Sequence, residues 1–451
     1  MARHFFGTDG IRGRVGEAPM TVDFALRLSS AAARALAPKG GSVLIGKDTR
    51  ISGYMFESAL EAGFVATGID VWLTGPLPTP GIAYLTKKLG ADFGIVISAS
   101  HNSYEDNGIK FFDSEGDKLS DGLEEAIEGF LKNAPTTLDS RALGQAKHLS
   151  SARADYMDFC KSTIPEKTNL EGFKIVVDAA HGAGYKVAPL VIADLGAEVV
   201  PVGCSPNGRN INNGCGSTRP DLLQLTVSGV RANVGFALDG DGDRLLMVDE
   251  DGSLVDGDQL LYILARDRIE TKSLQGPVVG TVMTNRGLEL ALRAAGVEFL
   301  RAKVGDRHVL AMLKEFGGIL GGETSGHLIC LDKTTTGDGL VTALQILSVM
   351  QRTKKTLKEL TAGMQQFPQT LVNVQIAEPL DLDSHPAIRR AIRAAESELS
   401  GRGRVVLRIS GTEMVVRVMV EGEDAGHVAN LAEQLAQSVR TAGGLPLVAV
   451  N

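Results

Sequence analysis

Apolar and polar positions fall into a recurring pattern along most of the chain. A short apolar run ends in a polar turn, a stretch with apolar residues at helical spacing follows, and a glycine or its equivalent leads into a second apolar run. The pattern is written three times, as "SVLIGKDTR…ALEAGFVATGIDVWLTG", "KIVVDAAHGAGYKVAPLVIADLGAEVVPVG" and "PVVGTVMTNRGLELALRAAGVEFLRAKVG". Strands alternating with helical stretches of this length predict βαβ units on largely parallel sheets. Downstream of each copy, a further apolar run stops in an unusual polar loop: "ADFGIVISASHN", "ANVGFALDGDGDR" and "GGILGGETSGH". Ligands of open α/β sheets collect outside the carboxyl ends of the strands, so three such units side by side can aim all three loops at one cleft.

After Thr361 the pattern changes. "VVLRIS" and "VVRVMVEG" read as two strands joined at "GTEM", and "AGHVANLAEQLAQSVRTAG" has helical spacing, which predicts a smaller α+β domain. "MQQFPQT" reads as the linker before it, and "NAPTTLDSRALGQAK" as an exposed connection near the end of the first unit. The expected fold is α/β: three similar α/β domains with mixed, largely parallel sheets plus a smaller C-terminal α+β domain around one central cleft. The expected boundaries are 1–155, 156–256, 257–366 and 367–451.

Bulk properties narrow the function classes. The 451 residues exceed one ordinary core and suggest about three domains at ~150 residues each. A formal net charge of −8 and a pI near 5.6 argue against a nucleic-acid partner, which needs a basic face. The four cysteines have neither zinc-site spacing nor the density of a disulfide scaffold, so they read as free thiols of a cytoplasmic protein. No apolar leader or membrane-length stretch is visible, so no membrane partner is expected. The sequence leaves the oligomeric state open, a homodimer included.

"DGDGDR" places Asp239, Asp241 and Asp243 at alternate positions with glycines that let the carboxylates converge. Two carboxylates ~6 Å apart repel by roughly 3 kcal/mol at an effective dielectric of ~20, so a cation belongs there. A hard divalent ion such as Mg²⁺ suits oxygen ligands. An EF-hand reading fails because Arg244 stands at its required glycine and the flanks read as strands. The same residues can also form a solvated acidic turn, or serve a phosphatase in which one aspartate is the nucleophile.

Ser98 and Ser100 leave their strand beside His101 and Asn102, and either hydroxyl can be the nucleophile or simply cap a turn. Glu323, Ser325 and His327 in "GGETSGH" can hydrogen-bond sugar hydroxyls, or form a structural turn. In the last domain Arg408 and Arg417 flank a turn in which Ser410, Gly411 and Thr412 offer hydroxyls and amides. That assembly suits phosphate, although a solvated basic strand face has the same residues. Arg12 and Arg14 lie in the glycine-spaced loop "FFGTDGIRGRVG" before the first helix, where Arg12 can meet an anion or the segment can simply form a capped turn.

Taken in order, "FGTDGIRG", "ISASHN", "DGDGDR", "GGETSGH" and "RISGTE" resemble the α-D-phosphohexomutase superfamily over essentially the whole chain. The "FGTDGIRG" start and "CGST" near Cys215 favour its glucosamine branch. The resemblance implies a four-domain, heart-shaped enzyme that interconverts glucosamine 6-phosphate and glucosamine 1-phosphate, a step towards UDP-N-acetylglucosamine and cell-wall precursors. It selects Ser100 as the phosphorylated residue, which with Asp239, Asp241 and Asp243 holds one Mg²⁺. It makes glucosamine 1,6-bisphosphate the intermediate and activator. Arg244 would offset charge, Glu323, Ser325 and His327 would hold the sugar, and Arg408, Ser410, Gly411, Thr412 and Arg417 would hold the phosphate that is not reacting. A last domain hinged near Phe367 would let the bisphosphate turn over. His101, Lys110 and Arg12 stand as unranked candidates for general acid and base.

Ser103, Thr324 and Met414 depart from the usual family pattern without removing a reactive group. The rival readings are a mutase for mannose or glucose phosphates and a non-catalytic sugar-phosphate binding protein.

Overall fold

The computed structural model describes residues 4–378, 380–382, 384–409 and 414–443. The described chain forms two compact units. One comprises the residues up to Thr281 with Ala302–Ala362, the other Val282–Arg301 with the residues from Gly363 onward.

The three copies of the sequence pattern become three mixed sheets. In the first, Gly41–Lys47 pairs in parallel with Ile69–Pro76 and with Phe93–Ile97, and the chain then turns back as Asp106–Asp113, antiparallel to Phe93–Ile97. In the second, Lys174–Asp178 pairs in parallel with Glu198–Val202 and Val234–Leu238, and Leu245–Val248 returns antiparallel. In the third, Val278–Thr281 pairs in parallel with Leu320–Gly322, and Leu328–Cys330 returns antiparallel. Each unusual polar loop is thus the connection between a parallel strand and its antiparallel return. The strands Phe93–Ile97 and Val234–Leu238 are buried at every position, as expected of continuous apolar runs covered on both faces. One core covers the first sheet, where Phe24, Leu28, Phe56, Leu60 and Phe64 of two helices pack over Val43, Ile45, Phe93 and Ile95.

Two local expectations change and a third gains detail. Residues 146 and 147 of the expected exposed connection, with His148 after them, form an edge strand, Ala146–His148, in parallel pairing with Val71–Leu73. "FFGTDGIRGRVG" is not all loop: Ile11–Arg14 pairs antiparallel with Asp106–Ile109, setting Arg12 opposite Gly108. The expected linker is packed, with Met364 and Phe367 buried. Asn285 fixes Phe367 by donating to its carbonyl at 2.9 Å and accepting its N–H at 3.1 Å, an amide pair that a free linker would lack.

The second unit carries the antiparallel strands Gln369–Gln375, Val415–Glu421 and Arg404–Ile409, covered by the helices Pro386–Leu399 and Ala425–Ala442. Residues 282–301 join it through Glu421, which is fully buried. Its carboxylate accepts the Arg286 N–H at 2.8 Å and pairs with Arg404, whose guanidinium also donates to the Val282 and Thr284 carbonyls.

Candidate active site

The chain leaves the buried strand Phe93–Ile97 through groups that must be satisfied inside the protein. Ser98 donates its hydroxyl to Asp48 Oδ2 at 2.6 Å and accepts the Ser100 N–H at 2.9 Å. Ser100 then adopts φ +52°, a left-handed conformation that costs a non-glycine residue on the order of 1–3 kcal/mol and persists where its surroundings impose it. The turn sends the Ser100 hydroxyl away from Asp48 and towards the aspartate loop, where it donates to Asp239 Oδ2 at 2.6 Å. His101 Nδ1 lies 3.4 Å from the same hydroxyl oxygen.

Asp239, Asp241 and Asp243 follow the buried strand Val234–Leu238 and bring one carboxylate oxygen each to within 4.8 Å of one another. Gly240 permits the approach, because a Cβ there would stand 2.5 Å from the Ser100 carbonyl oxygen. Thr79, first residue of the helix Thr79–Leu89, donates its N–H to the Asp241 carbonyl at 2.9 Å and its hydroxyl to Asp241 Oδ2 at 2.6 Å. Lys110 Nζ reaches Asp241 Oδ2 at 2.7 Å, and the Arg244 N–H donates to Asp239 Oδ1 at 3.2 Å.

The three carboxyls have unlike surroundings. Burial, with Asp243 and Asp241 close by, holds Asp239 well above the usual carboxyl range. Burial would also raise Asp243, but Lys110 and His327 outweigh it and hold it well below. The Oδ1 atoms of Asp241 and Asp243 are buried with no hydrogen-bond partner. Converging oxygen ligands with unmet acceptors fit a hard divalent cation.

Lys110 also reaches Asp9 at 2.8 Å and Asp243 at 3.5 Å. Asp9 in turn pairs with Lys118 at 2.5 Å and with Arg12, and Lys118 pairs with Asp306. Asp306 lies 3.4 Å from His327 Nε2, and His327 Nδ1 lies 3.7 Å from Asp243. The result is a closed ring of alternating charge through Asp243, Lys110, Asp9, Lys118, Asp306 and His327. Burial would lower His327, but Asp306 and Asp243 prevail and raise it to about 9. His101 behaves oppositely: burial, then Arg244 and Arg12, push it down to about 4, so it is neutral at pH 7. Arg12 and Arg244 are buried enough to be disfavoured as cations, yet the surrounding carboxylates, Asp9 for Arg12 and Asp239 for Arg244, raise both.

The expected site residues Arg12, Ser100, His101, Lys110, Asp239, Asp241, Asp243, Arg244 and His327 therefore share one neighbourhood. Glu323 is half-buried and accepts the Gly305 N–H at 2.9 Å, while Ser325 is exposed. Arg408 and Arg417, in the second unit, stand directly opposite each other on paired strands. Ser410, Gly411 and Thr412 lie outside the described residues.

Sequence reasoning missed Asp9, Lys118, Asp306 and Thr79 in this neighbourhood, and Asp48, Arg50 and Asn212 behind the serine. A usable signal existed for Asp48 and Arg50, since "KDTR" places charges at the carboxyl end of a predicted parallel strand. Lys118 and Asp306 enter through tertiary packing, and no local pattern marks them.

Comparison with known proteins defines the class. Models of the phosphoglucomutase/phosphomannomutase family match in order: alpha/beta/alpha domain I at residues 3–137, domain II at 154–252, domain III at 256–367 and the C-terminal domain at 371–438. The chain belongs to this family of phosphohexomutases. Among its relatives, the phosphoglucosamine mutase of Aeromonas hydrophila is 55% identical over 98% of this chain and 100% of its own length. That of Alkalilimnicola ehrlichii is 56% identical over 98% of each chain. A phosphoglucomutase/phosphomannomutase family protein from Burkholderia thailandensis has a solved structure similar to this one, with a TM-score of 0.81, 25% identity and 99% of each chain covered.

Proposed function

We propose that the chain is a phosphoglucosamine mutase, interconverting glucosamine 6-phosphate and glucosamine 1-phosphate through a phosphorylated Ser100. Relatives of that name, 53–56% identical over essentially the full length, support the substrate. The observation that carries the mechanism is the Ser100 hydroxyl, buried in a left-handed turn and 2.6 Å from Asp239 in a carboxylate cluster that fits a divalent cation.

In this reading the phosphoryl group passes from Ser100 to a hydroxyl of the sugar phosphate. The serine P–O bond breaks as the sugar P–O bond forms, and glucosamine 1,6-bisphosphate results. After reorientation, the bisphosphate returns its other phosphate to Ser100. Such transfers depend on positioning and charge compensation rather than on covalent chemistry by the protein. Asp239, Asp241, Asp243 and the Ser100 phosphate would hold Mg²⁺, which when bound neutralises charge on the transferring group.

Arg12, Arg244 and Lys110 supply fixed positive charge beside Ser100. His101, neutral at pH 7 and 3.4 Å from the Ser100 oxygen, Lys110, held charged, and Arg12 are the candidates for general acid and base, and comparing rates of variants at each position ranks them. Glu323, Ser325 and His327 are assigned to the sugar hydroxyls. Arg408 and Arg417 are assigned, with Ser410, Gly411 and Thr412, to the phosphate that is not reacting. The two guanidinium residues face each other across paired strands, which places two anion-binding side chains side by side. The four-domain division at 155/156, 256/257 and 366/367, a cytoplasmic site of action and a homodimer belong to the same reading, and sedimentation decides the last.

The test is turnover of glucosamine 6-phosphate, glucose 6-phosphate and mannose 6-phosphate by the phosphorylated protein and by Ser100→Ala. The expected result is a clear preference for the amino sugar and loss of turnover in the variant. Normal turnover by Ser100→Ala sinks the mechanism, and preference for either neutral sugar sinks the substrate.

A further inference from the structure

Ser100 occupies its left-handed conformation because both of its backbone polar groups are fixed by side chains. Its N–H goes to the Ser98 hydroxyl, which is itself tied to Asp48. Its carbonyl receives two donors, Arg50 Nη2 at 2.9 Å and Asn212 Nδ2 at 2.9 Å. The same two groups converge on the Asn102 carbonyl, at 2.8 and 3.0 Å. Arg50 Nη1 donates to the carbonyls of Ser103 and Asp106, and its Nε to Asp48 Oδ2 at 2.8 Å. A guanidinium has five N–H donors in a fixed fork, and here all five are used, four of them on backbone carbonyls of the serine loop. The side chain is wholly buried.

The two donors come from different places. Arg50 precedes the helix Ile51–Ala66 of the first domain, whereas Asn212 belongs to the long loop after Glu198–Val202 of the second sheet and is itself left-handed, with φ +58°. Asn212 Nδ2 lies close to Gly240 as well, since a Cβ on Gly240 would approach it to 2.8 Å. The clamp therefore fixes the serine loop at the point where it meets the aspartate loop.

Resting on the activity proposed above, we infer that Arg50 and Asn212 are positioning residues for phosphoryl transfer: a two-sided clamp on the Ser100 and Asn102 carbonyls that sets the Ser100 hydroxyl against the aspartate cluster. Neither side chain touches the reacting atoms. Their loss should slow the transfer while leaving sugar binding alone, since displacing a nucleophile by ~1 Å can cost on the order of 100-fold in rate.

Asn212→Asp and Arg50→Lys test the clamp. Aspartate keeps the size of asparagine and tolerates its backbone conformation while removing both donors. Lysine keeps the charge but has at most three donors and no fork. The measurements are kcat and KM for glucosamine 6-phosphate, with hydrogen exchange of the peptide spanning 98–106 in the absence of sugar. The expected result for Asn212→Asp is a kcat reduced ~10-fold or more, a KM within about twofold of wild type, and faster exchange confined to 98–106. For Arg50→Lys the loss of kcat should approach ~100-fold. Unchanged exchange at 98–106 in Asn212→Asp overturns the clamp, and so does a kcat within about twofold of wild type despite faster exchange. Asn212→Asp decides the matter alone if Arg50→Lys does not fold. A wild-type protein inactive on glucosamine 6-phosphate contradicts the proposed activity, whereas the exchange arm still tests the clamp.

Discussion

Ser98 and Ser100 leave the same strand two positions apart, yet their hydroxyls point to different partners. Ser98 is committed to Asp48, 50 positions earlier in the chain, and Ser100 to Asp239, 139 positions later. Ser98→Ala should therefore keep phosphate on Ser100, read by peptide mass spectrometry, while lowering turnover ~10-fold through a looser Ser100 N–H. Phosphate moving away from Ser100 in that variant contradicts this assignment. Gly240→Ala should be more damaging, because its Cβ would meet the Ser100 carbonyl, a backbone atom that cannot swing aside. Turnover down ~100-fold or more is expected, and near-normal activity would show that the two loops do not depend on that approach. The polar cluster itself was legible from an apolar run that ends in serines, a histidine and an asparagine. The choice between the serines was not, because the groups that decide it are remote in sequence.

The repeat was readable because its signals are local: an apolar strand, a helical period, a second strand, and then a strand that stops in a polar turn, as Phe93–Ile97 and Val234–Leu238 do. The strand that carries Arg12 is invisible to local pattern, because it is glycine-rich with no apolar run to announce it and is defined by its pairing with Asp106–Ile109. The apolar stretch "LVTALQILSVM" lies in the buried helix Gly339–Thr353, and no helix among the described residues is long and apolar enough to cross a membrane. Asp338 caps that helix through the Val341 N–H at 2.9 Å and accepts the Tyr156 hydroxyl at 2.8 Å. Burial raises this carboxyl from 3.8 to about 6, so the folded protein holds its proton more tightly than the unfolded chain does. Its contribution to stability is fully present below pH 3.8 and is lost as pH rises to about 6. Asp338→Asn retains the cap without the charge. Its stability relative to wild type should rise by about 2 kcal/mol between pH 4.5 and 7, read from unfolding at those two values. A difference that stays constant with pH contradicts the raised carboxyl.

Across the larger unit, the ring from Asp243 to His327 joins the aspartate loop and the "GGETSGH" loop to the N-terminal segment. His327, raised from 6.5 to about 9, adds stability that is present below pH 6.5 and lost as pH rises through 9. Asp306→Asn should flatten the fall in melting temperature between those limits, while an unchanged slope means that the ring does not hold the proton. At this scale the four-part order of the chain was legible from repeat and motif order. The attachment of 282–301 to the second unit was not, because it rests on Glu421 and Asn285, whose partners are distant in sequence. The central claim is that Ser100 carries the phosphate that moves, and a single turnover with protein radiolabelled at Ser100 tests it most directly. On mixing with glucosamine 6-phosphate, the label should leave Ser100 no more slowly than product forms and appear first in glucosamine 1,6-bisphosphate. Product accumulating while the label stays on Ser100 would contradict the account.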